Sequence, residues 1–234
     1  MMRLDKYLSE VGAGTRSEVK KYIRQGNVTV DGQTVKRPEE KIDEIKQTVC
    51  VNGRQTVYKK FEYYMLNKPA GVVSATTDNH DKTVMDLIGD RKRKDLFPVG
   101  RLDKDTEGLL LITNDGEMAH RLLSPKKHVD KVYYAKVDGR VTEETVKQFA
   151  EGLFIGNGDY ANPSVLNVIK EDDISEVELT IQEGKFHQVK RMFKAAGMEV
   201  VYLKRLSMGG LSLDEKLSEG EYRTLTKEEV EMLC

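Results

Sequence analysis

The stretch from Phe97 to Glu117 constrains the fold of this chain more than any other. Apolar residues lie at both of its ends, from Leu96 to Val99 and from Leu109 to Ile112. This pattern predicts two short buried strands joined by the polar turn Gly100 to Gly108. Because loops held at strand ends often carry catalytic groups, Asp103 in this turn is the candidate reactive residue.

Residue type alone does not single out Asp103. An aspartate in a turn more often bonds to nearby backbone or caps a helix, and Asp105 could serve equally well. The order of residues is more specific: G-R-L-D-K-D-T-E-G-L-L-L-I-T-N-D-G, from Gly100 to Gly116, resembles the signature of the RsuA branch of pseudouridine synthases. These bacterial enzymes isomerise uridine in ribosomal RNA, and the resemblance implies that Asp103 is the catalytic nucleophile.

Length and cysteine content limit the class of protein. A chain of 234 residues can form one large domain or two modest ones, and either folds without disulfides. Cys50 and Cys234 are its two cysteines, which indicates a reducing compartment and gives no metal-ligand spacing. No apolar run is long enough to span a membrane, and Met1 to Tyr7 lacks the apolar core of a signal peptide. We therefore expect a cytoplasmic protein that holds no metal.

The net charge of −1 hides a division along the chain. Residues 1–59 contain 12 Lys and Arg against 8 Asp and Glu, a net charge of +4. The remaining residues contain 26 against 31, a net charge of −5. This division predicts a small basic module joined to a larger acidic body.

The basic segment predicts two helices followed by a hairpin. Leu4, Leu8 and Val11 fall on one stripe of the first helix, and Thr15 or Ser17 can begin the second. Basic residues recur every four positions along the second helix, so they form either a cationic ridge or an ordinary solvated face. These residues are Arg16, Lys20 and Arg24. The sequence V-T-V-D-G-Q-T-V that follows predicts a hairpin turning at Asp31-Gly32.

This succession of elements resembles the alpha-L RNA-binding motif of the ribosomal-protein S-four type. The matching segments are R-L-D-K-Y-L, R-S-E-V-K-K-Y-I-R-Q-G and V-T-V-D-G. The resemblance implies RNA contacts by Arg16, Lys20, Lys21 and Arg24. We therefore predict an RNA-binding domain over residues 1–59 and a catalytic domain over residues 60–234.

The predicted catalytic domain contains more strands than helices. Strands are predicted at residues 62–66, 72–76, 131–137, 165–169, 177–181 and 199–203, and helices at residues 83–88, 117–123, 142–150, 186–197 and 226–233. Many neighbouring strands are joined by turns too short for a crossover, which predicts an α+β fold with a mainly antiparallel mixed sheet. The basic run Arg91 to Lys94 is typical of a solvated loop, with RNA contact as the less favoured alternative.

Pseudouridine formation breaks the N1 to C1′ bond, turns the uracil and rejoins it through C5. As an isomerisation it needs no cofactor, and the sequence has no complete dinucleotide or P-loop motif. It does need an ionised carboxylate in a poorly hydrated pocket, and hence a nearby cation. Arg101 is one candidate for that cation, and Lys190 or Arg191 from the helix after Gly184 is the other. The segment G-K-F-H-Q-V-K-R-M resembles a second family motif, which implies that Lys190 pairs with Asp103 as a point charge.

The resemblance also suggests the residues that hold the flipped base. Family strands carry K-x-Y where this chain has Lys131 to Tyr133, which implies that Tyr133 stacks on the base. From the pattern alone, Tyr133 and Tyr134 are both possible core tyrosines on opposite faces of the strand. His187 is interpreted as an RNA contact rather than a catalyst, and Arg101 and Arg191 are predicted RNA contacts as well.

The resemblance covers nearly the whole chain and favours action on small-subunit (16S) ribosomal RNA. His187 supports that choice, because large-subunit enzymes tend to read G-x-N-R-Q at this segment. The alternatives are a large-subunit pseudouridine synthase and a non-catalytic ribosome-assembly factor. The expected partner is 16S ribosomal RNA or a small-subunit assembly intermediate, bound by a monomer away from membranes. The sequence leaves open the target uridine, the state of the RNA, and whether Lys190 or Arg101 is the main partner of Asp103.

Overall fold

The chain folds into two compact units. The computed structural model describes residues 1–89, 93 and 95–233. Unit 1 consists of Met1–Phe61 with Gly89–Leu96, and unit 2 consists of Glu62–Ile88 with Phe97–Cys234. The sequence-based boundary after residue 59 did not anticipate that Gly89–Leu96, from the middle of the chain, belongs to unit 1.

Unit 1 combines a pair of helices with short strands. Its elements are β1 (Met2–Arg3), α1 (Leu4–Glu10), α2 (Arg16–Arg24), β2 (Val28–Val30), β3 (Gln33–Thr34), β4 (Lys41–Ile42), β5 (Val49–Val51) and β6 (Arg54–Thr56). A capping box begins α2: the backbone N–H of Glu18 donates to Thr15 Oγ1, and the backbone N–H of Thr15 donates to Glu18 Oε2. Val19 and Ile23 of α2 are fully buried in a core with Leu4 and Leu8 of α1.

Both hairpins of unit 1 turn at an Asp-Gly or Asn-Gly pair, and the first lies where the sequence predicts. Asp31 and Gly32 have φ values of 50° and 80°, and Asn52 and Gly53 have φ values of 49° and 76°. Two consecutive positive φ values define the mirror-image turn whose twist matches that of paired strands. The strands form a sheet in the order β3-β2-β5-β6.

Arg93 ties the segment Gly89–Leu96 into unit 1. Its guanidinium is almost fully buried and bonds to the carboxylate of Asp95 at 2.7 Å and to the carbonyl oxygen of Lys59 at 3.0 Å. Glu10 lies 3.8 Å from the same group. Arg93 therefore does not fit the solvated loop expected from the basic run, and its neighbours Arg91, Lys92 and Lys94 lie outside the described residues.

Unit 2 is built around one large sheet. Its elements are β7 (Tyr63–Lys68), a 3-10 helix (Val84–Leu87), β8 (Phe97–Pro98), β9 (Glu107–Thr113), α3 (Gly116–Leu123), a second 3-10 helix (Pro125–Lys127), β10 (Lys131–Asp138), α4 (Glu143–Glu151), β11 (Leu153–Phe154), β12 (Tyr160–Ala161), β13 (Val165–Lys170), β14 (Ile174–Ile181), α5 (Gln188–Ala195), β15 (Glu199–Met208), β16 (Leu211–Ser212), β17 (Tyr222–Thr224) and α6 (Lys227–Met232). The nine-stranded sheet has the order β13-β14-β10-β15-β9-β7-β17, with β16 paired to β15 and β8 to β9. The β15–β9 pair is parallel and the other named pairs of this sheet are antiparallel. The predicted α+β fold with a mainly antiparallel mixed sheet is confirmed.

The parallel pair depends on a glycine. Gly108 on β9 lies opposite Arg205 on β15 and has a φ of +96°. A Cβ at this position would lie 2.3 Å from the carbonyl oxygen of Arg205. Any side chain would therefore push the two strands apart at the centre of the sheet.

Two local predictions for unit 2 differ from the structure. The predicted strand at residues 72–76 is absent from the described structure, where Val73 makes only an isolated bridge with Thr83. Ser74 turns inward instead, and its hydroxyl donates to the carbonyl oxygen of Leu102. The helix predicted from Phe186 begins at Gln188, because His187 adopts a left-handed conformation with a φ of 48°.

Across the part of the chain that the structure describes, no helix has the length and apolar character needed to cross a membrane.

Candidate active site

Asp103 lies on a loop that is fixed by strand pairing at both ends and by hydrogen bonds to Ser74. Antiparallel strands β8 and β9 hold the ends, with Val99 donating to the carbonyl oxygen of Leu111 at 2.8 Å. The backbone N–H of Leu102 donates to Ser74 Oγ at 3.1 Å, and the hydroxyl of Ser74 returns a bond of 2.9 Å to the carbonyl oxygen of Leu102. These paired bonds fix the residue directly before Asp103.

Lys68, at the end of β7, forms hydrogen bonds to the backbone of the same loop. Its side chain is fully buried, and Nζ donates to the carbonyl oxygens of Pro69, Lys104 and Thr106 at 3.0, 3.3 and 2.8 Å. Two of these acceptors, at Lys104 and Thr106, follow Asp103 closely in the chain. The ammonium therefore determines the path of the backbone that presents the Asp103 carboxylate.

Burial lowers the pKa of Lys68 to about 8. Removal of the ammonium from water is the main cause, and the negative charges of Asp105, Asp103 and Glu107 only partly offset it. The sequence does not predict this role, since two of the acceptors of Lys68 lie 36 and 38 residues further along the chain.

The Asp103 carboxylate faces two basic side chains from the α5 segment. Lys190 Nζ lies 3.2 Å from Asp103 Oδ2, and His187 Nε2 lies 3.6 Å from Oδ1. Lys190 also donates to Asp105 Oδ1 at 2.6 Å. One ammonium thus bridges two carboxylates, and the partner of Asp103 is Lys190, whereas Arg101 is exposed on the pocket wall.

The shared contact favours the charged form of both partners. Burial opposes the charge on Lys190, but bonds to Asp105 and Asp103 outweigh it and raise the pKa of the ammonium above its ordinary value. Burial is likewise the largest single influence on Asp105 and opposes its charge, but the bond to Lys190, the positive charge of that ammonium and smaller contributions together outweigh burial and lower the pKa of the carboxyl. Lys190 therefore remains a cation beside Asp103 throughout the neutral pH range.

A pocket of about 60 Å³ opens beside Asp103. Tyr133 of β10 is 8% exposed and lines it together with Leu203, His187 and Lys190. The ring of Tyr133, the ammonium of Lys190 and the carboxylate of Asp103 thus border one opening on the surface of unit 2.

The two neighbouring tyrosines of β10 have different surroundings. Tyr133 lies on the pocket face, whereas the hydroxyl of Tyr134 donates to Glu176 on the opposite face of the strand. Burial and this acceptor raise the pKa of Tyr134 to about 12. The alternation predicted for this strand therefore brings Tyr133, and not Tyr134, to the pocket.

Arg191 does not fit its predicted role as an RNA contact. Its guanidinium donates to the carbonyl oxygens of Ile155, Gly156 and Phe186 and pairs with Asp159 at 2.9 Å. Because its guanidinium donors bond within the protein and the side chain is only 14% exposed, Arg191 links two segments of unit 2 and is not available to RNA.

The predicted RNA contacts of unit 1 lie along α2. Arg16, Lys21 and Arg24 are exposed, and Lys20 is half-buried. Val19 and Ile23 occupy the buried side of the helix, so the basic side chains have the amphipathic placement expected from the sequence. As for metals, the described residues include no cluster of three or more histidine, cysteine or acidic side chains able to bind an ion.

Comparisons with known proteins show the family of this chain. Residues 62–195 match the family described as RNA pseudouridylate synthase, and residues 2–44 match the S4 domain family. The chain is 50% identical to an uncharacterized RNA pseudouridine synthase, YtzG, of Bacillus subtilis, over 99% of this chain and 98% of that protein. It is 41% identical to ribosomal small subunit pseudouridine synthase A of Escherichia coli, over 98% of each chain. A crystal structure of a pseudouridylate synthase superposes with a TM-score of 0.70 at 38% identity, covering both chains completely.

Proposed function

The chain belongs to the RNA pseudouridylate synthase family, and on that premise we propose that it converts a specific uridine of 16S ribosomal RNA to pseudouridine. The observation that carries the choice of RNA is the full-length similarity to the small-subunit enzyme of Escherichia coli. His187 in the motif G-K-F-H-Q supports the same choice.

In the proposed mechanism, Asp103 acts on the sugar or base as the glycosidic bond breaks. Its ionised carboxylate stabilises or traps the electron-poor intermediate while the uracil turns. The base rejoins through C5, which gives up a proton while N1 gains one, so that no atom is lost overall. Lys190 orients the carboxylate and pairs with it, at a distance of 3.2 Å.

Tyr133 is the proposed platform for the flipped base. A uridine stacked within RNA cannot present its C1′ and C5 atoms to one carboxylate, so it must leave the stack at a cost of a few kcal/mol. Stacking on an aromatic ring returns about 1–3 kcal/mol of that cost. The buried position of Tyr133 in the pocket wall suits this role.

RNA contacts are proposed for both parts of the chain. Residues 1–59 supply Arg16, Lys20, Lys21 and Arg24 as a proposed RNA-binding domain, and residues 60–234 supply Arg101 and His187 within the catalytic domain. Arg191 is left out because of its internal bonds. We propose that the protein acts as a monomer on 16S RNA or on a small-subunit assembly intermediate, where ribosomal proteins do not yet cover the target.

The test is to map pseudouridine in 16S and 23S RNA treated with wild-type protein and with Asp103→Asn. We expect one site in 16S RNA with the wild type and none with the variant, whose RNA affinity and thermal stability should stay close to those of the wild type. Asp105 is a poor control because it shares Lys190. Asp173→Asn is better, since its side chain is 88% exposed, and it should be fully active.

Measurable turnover by Asp103→Asn would contradict the assignment of the nucleophile. A wild-type product found only in 23S RNA would contradict the proposed substrate and favour the large-subunit alternative. No product in either RNA would favour a non-catalytic assembly factor.

A further inference from the structure

An exposed aromatic pair lies at the mouth of the pocket. Phe186 has 75% of its surface exposed, and its ring stacks on that of His187 with a centroid distance of 3.8 Å and an angle of 17°. His187 in turn lies 3.6 Å from the Asp103 carboxylate. One face of a stacked two-ring unit is thus offered to solvent within a short distance of the proposed nucleophile.

The backbone that carries this pair is firmly held. Arg191 donates to the carbonyl oxygen of Phe186 at 3.1 Å, and the same guanidinium bonds to Gly156 at 2.6 Å. The side chain of Gln188 accepts from the backbone N–H of Lys185 at 2.8 Å. These bonds fix a segment whose His187 occupies the left-handed region, a conformation that costs energy for a residue other than glycine. The exposed ring is therefore a preorganised surface rather than a loose side chain.

A further hydrogen bond links the segment that carries the pair to a second aromatic surface. Lys185 Nζ donates to the carbonyl oxygen of Tyr160 at 2.7 Å, on the β11–β12 hairpin. Phe154 and Tyr160 of that hairpin are 50% and 67% exposed, and their ring centroids lie 5.2 Å apart. The β11–β12 hairpin, linked to the pocket wall through Lys185, therefore carries two further exposed rings.

We propose that the Phe186–His187 pair is a stacking platform for the unpaired base next to the uridine that is isomerised. The inference rests on the proposed action on RNA, because a base is the flat apolar group that a flipped-out nucleotide brings beside the pocket. Flipping the uridine also leaves its neighbour without a stacking partner on one side. A ring that stacks on that neighbour holds the strand open and places the sugar of the target over Asp103.

The test is a double-mutant cycle between the protein and the RNA. The target is first mapped with wild-type protein, and a short single-stranded RNA containing it is then made in three forms: unmodified, with an abasic residue 5′ of the uridine, and with one 3′ of it. Dissociation constants and single-turnover rates are measured for full-length wild type, Phe186→Ala, Phe186→Trp and the control Ile169→Ala. Ile169 is a matched control because it is 59% exposed on β13 of the same unit.

We expect Phe186→Ala to weaken binding of unmodified RNA by about 5- to 150-fold, the range that corresponds to one base–aromatic stack. Phe186→Trp should restore most of the affinity, and Ile169→Ala should bind as the wild type does. With wild type, one of the two abasic RNAs should show the same loss. With Phe186→Ala, that abasic RNA should show little further loss, because the stack is already absent.

Two results would overturn the platform. If neither abasic RNA binds wild type more weakly, no neighbouring base contacts the pair. If the abasic penalty is as large in Phe186→Ala as in wild type, Phe186 acts only by positioning His187. These results are distinct from a failure of the proposed substrate: if the mapped target lies outside 16S RNA, the same cycle on that other RNA still decides the role of Phe186.

Discussion

Replacement of Lys68 by methionine tests how the loop that carries Asp103 is held. Methionine keeps a long side chain of similar volume but removes the donor to three carbonyl oxygens and the buried positive charge. Unsatisfied buried acceptors cost about 1–3 kcal/mol each, and water can enter to satisfy some of them. We expect Lys68→Met to fold with lower stability and to lose far more in kcat than in KM, because the loop moves while the RNA surfaces remain.

The pKa of about 8 for Lys68 gives this prediction a definite pH dependence. With that value, about 90% of the enzyme carries the charged lysine at pH 7 and about 10% at pH 9. If the charge holds the loop in its active form, wild-type kcat should fall about tenfold between these pH values. Lys190 does not contribute to this decline, because its pKa is raised above its ordinary value.

The free energy of unfolding should rise with pH over the range in which kcat falls. The pKa of Lys68 is about 8 in the folded protein and about 10.5 in the unfolded chain, so between these pH values the unfolded chain binds the proton that the folded protein has lost. The free energy of unfolding of wild type should therefore rise with pH, relative to Lys68→Met, by up to about 3 kcal/mol. A fall in activity together with this rise cannot result from unfolding.

The assay is single-turnover pseudouridine formation from pH 6.5 to 9.5, with urea unfolding measured at the same pH values. Wild type, Lys68→Met and the control Lys126→Met, an exposed lysine of the same unit, are compared on one RNA. The same RNA is used throughout, so titration of the substrate affects all three proteins equally. The reasoning is refuted if Lys68→Met retains the wild-type fall in kcat, or if wild-type kcat stays level up to pH 9.5.

Substitutions at Tyr133 and along α2 test the proposed base platform and the RNA surface. Tyr133→Phe should bind RNA as wild type does but lose about 100-fold in turnover if its hydroxyl takes part in proton removal, whereas Tyr133→Ala should lose both RNA affinity and turnover. Full activity of Tyr133→Phe in the single-turnover assay would exclude a role for the hydroxyl. Replacing Arg16, Lys20 and Arg24 together with glutamine should reduce the slope of log affinity against log salt by up to about 2–3, and an unchanged slope would mean that these residues do not contact phosphates.

Features set by neighbouring residues were predictable from the sequence. The start of α2 at Thr15, one of the two residues that the sequence allowed, and the hairpin turn at Asp31-Gly32 depend on side chains within a few positions of one another. The assignment of Tyr133 to the pocket required information beyond the local pattern of residues. Alternation along the strand separates it from Tyr134, but only the resemblance to the family, followed by the packing of β10, distinguishes the two faces.

Features set by distant contacts were not predictable. The apolar residues at 72–76 fit a strand, but whether a segment joins a sheet depends on the partners beside it, and Ser74 bonds instead to Leu102, 28 residues away. Bonds over 36 and 38 residues give Lys68 its place, and a contact over 85 residues makes Asp105 share Lys190. None of these separations leaves a periodic signal in the sequence.

The division of unit 1 between Met1–Phe61 and Gly89–Leu96 has a consequence for how the protein is made. Chains fold while they emerge from the ribosome, N-terminal parts first. Unit 1 nevertheless remains incomplete until Leu96 has emerged, because Arg93 is needed beside Glu10 and the carbonyl group of Lys59. By then β7 has also been synthesised, with Lys68 at its end, but the acceptors at Lys104 and Thr106 have not. During synthesis, the N-terminal unit is therefore completed before the loop that bears the reactive carboxylate can form.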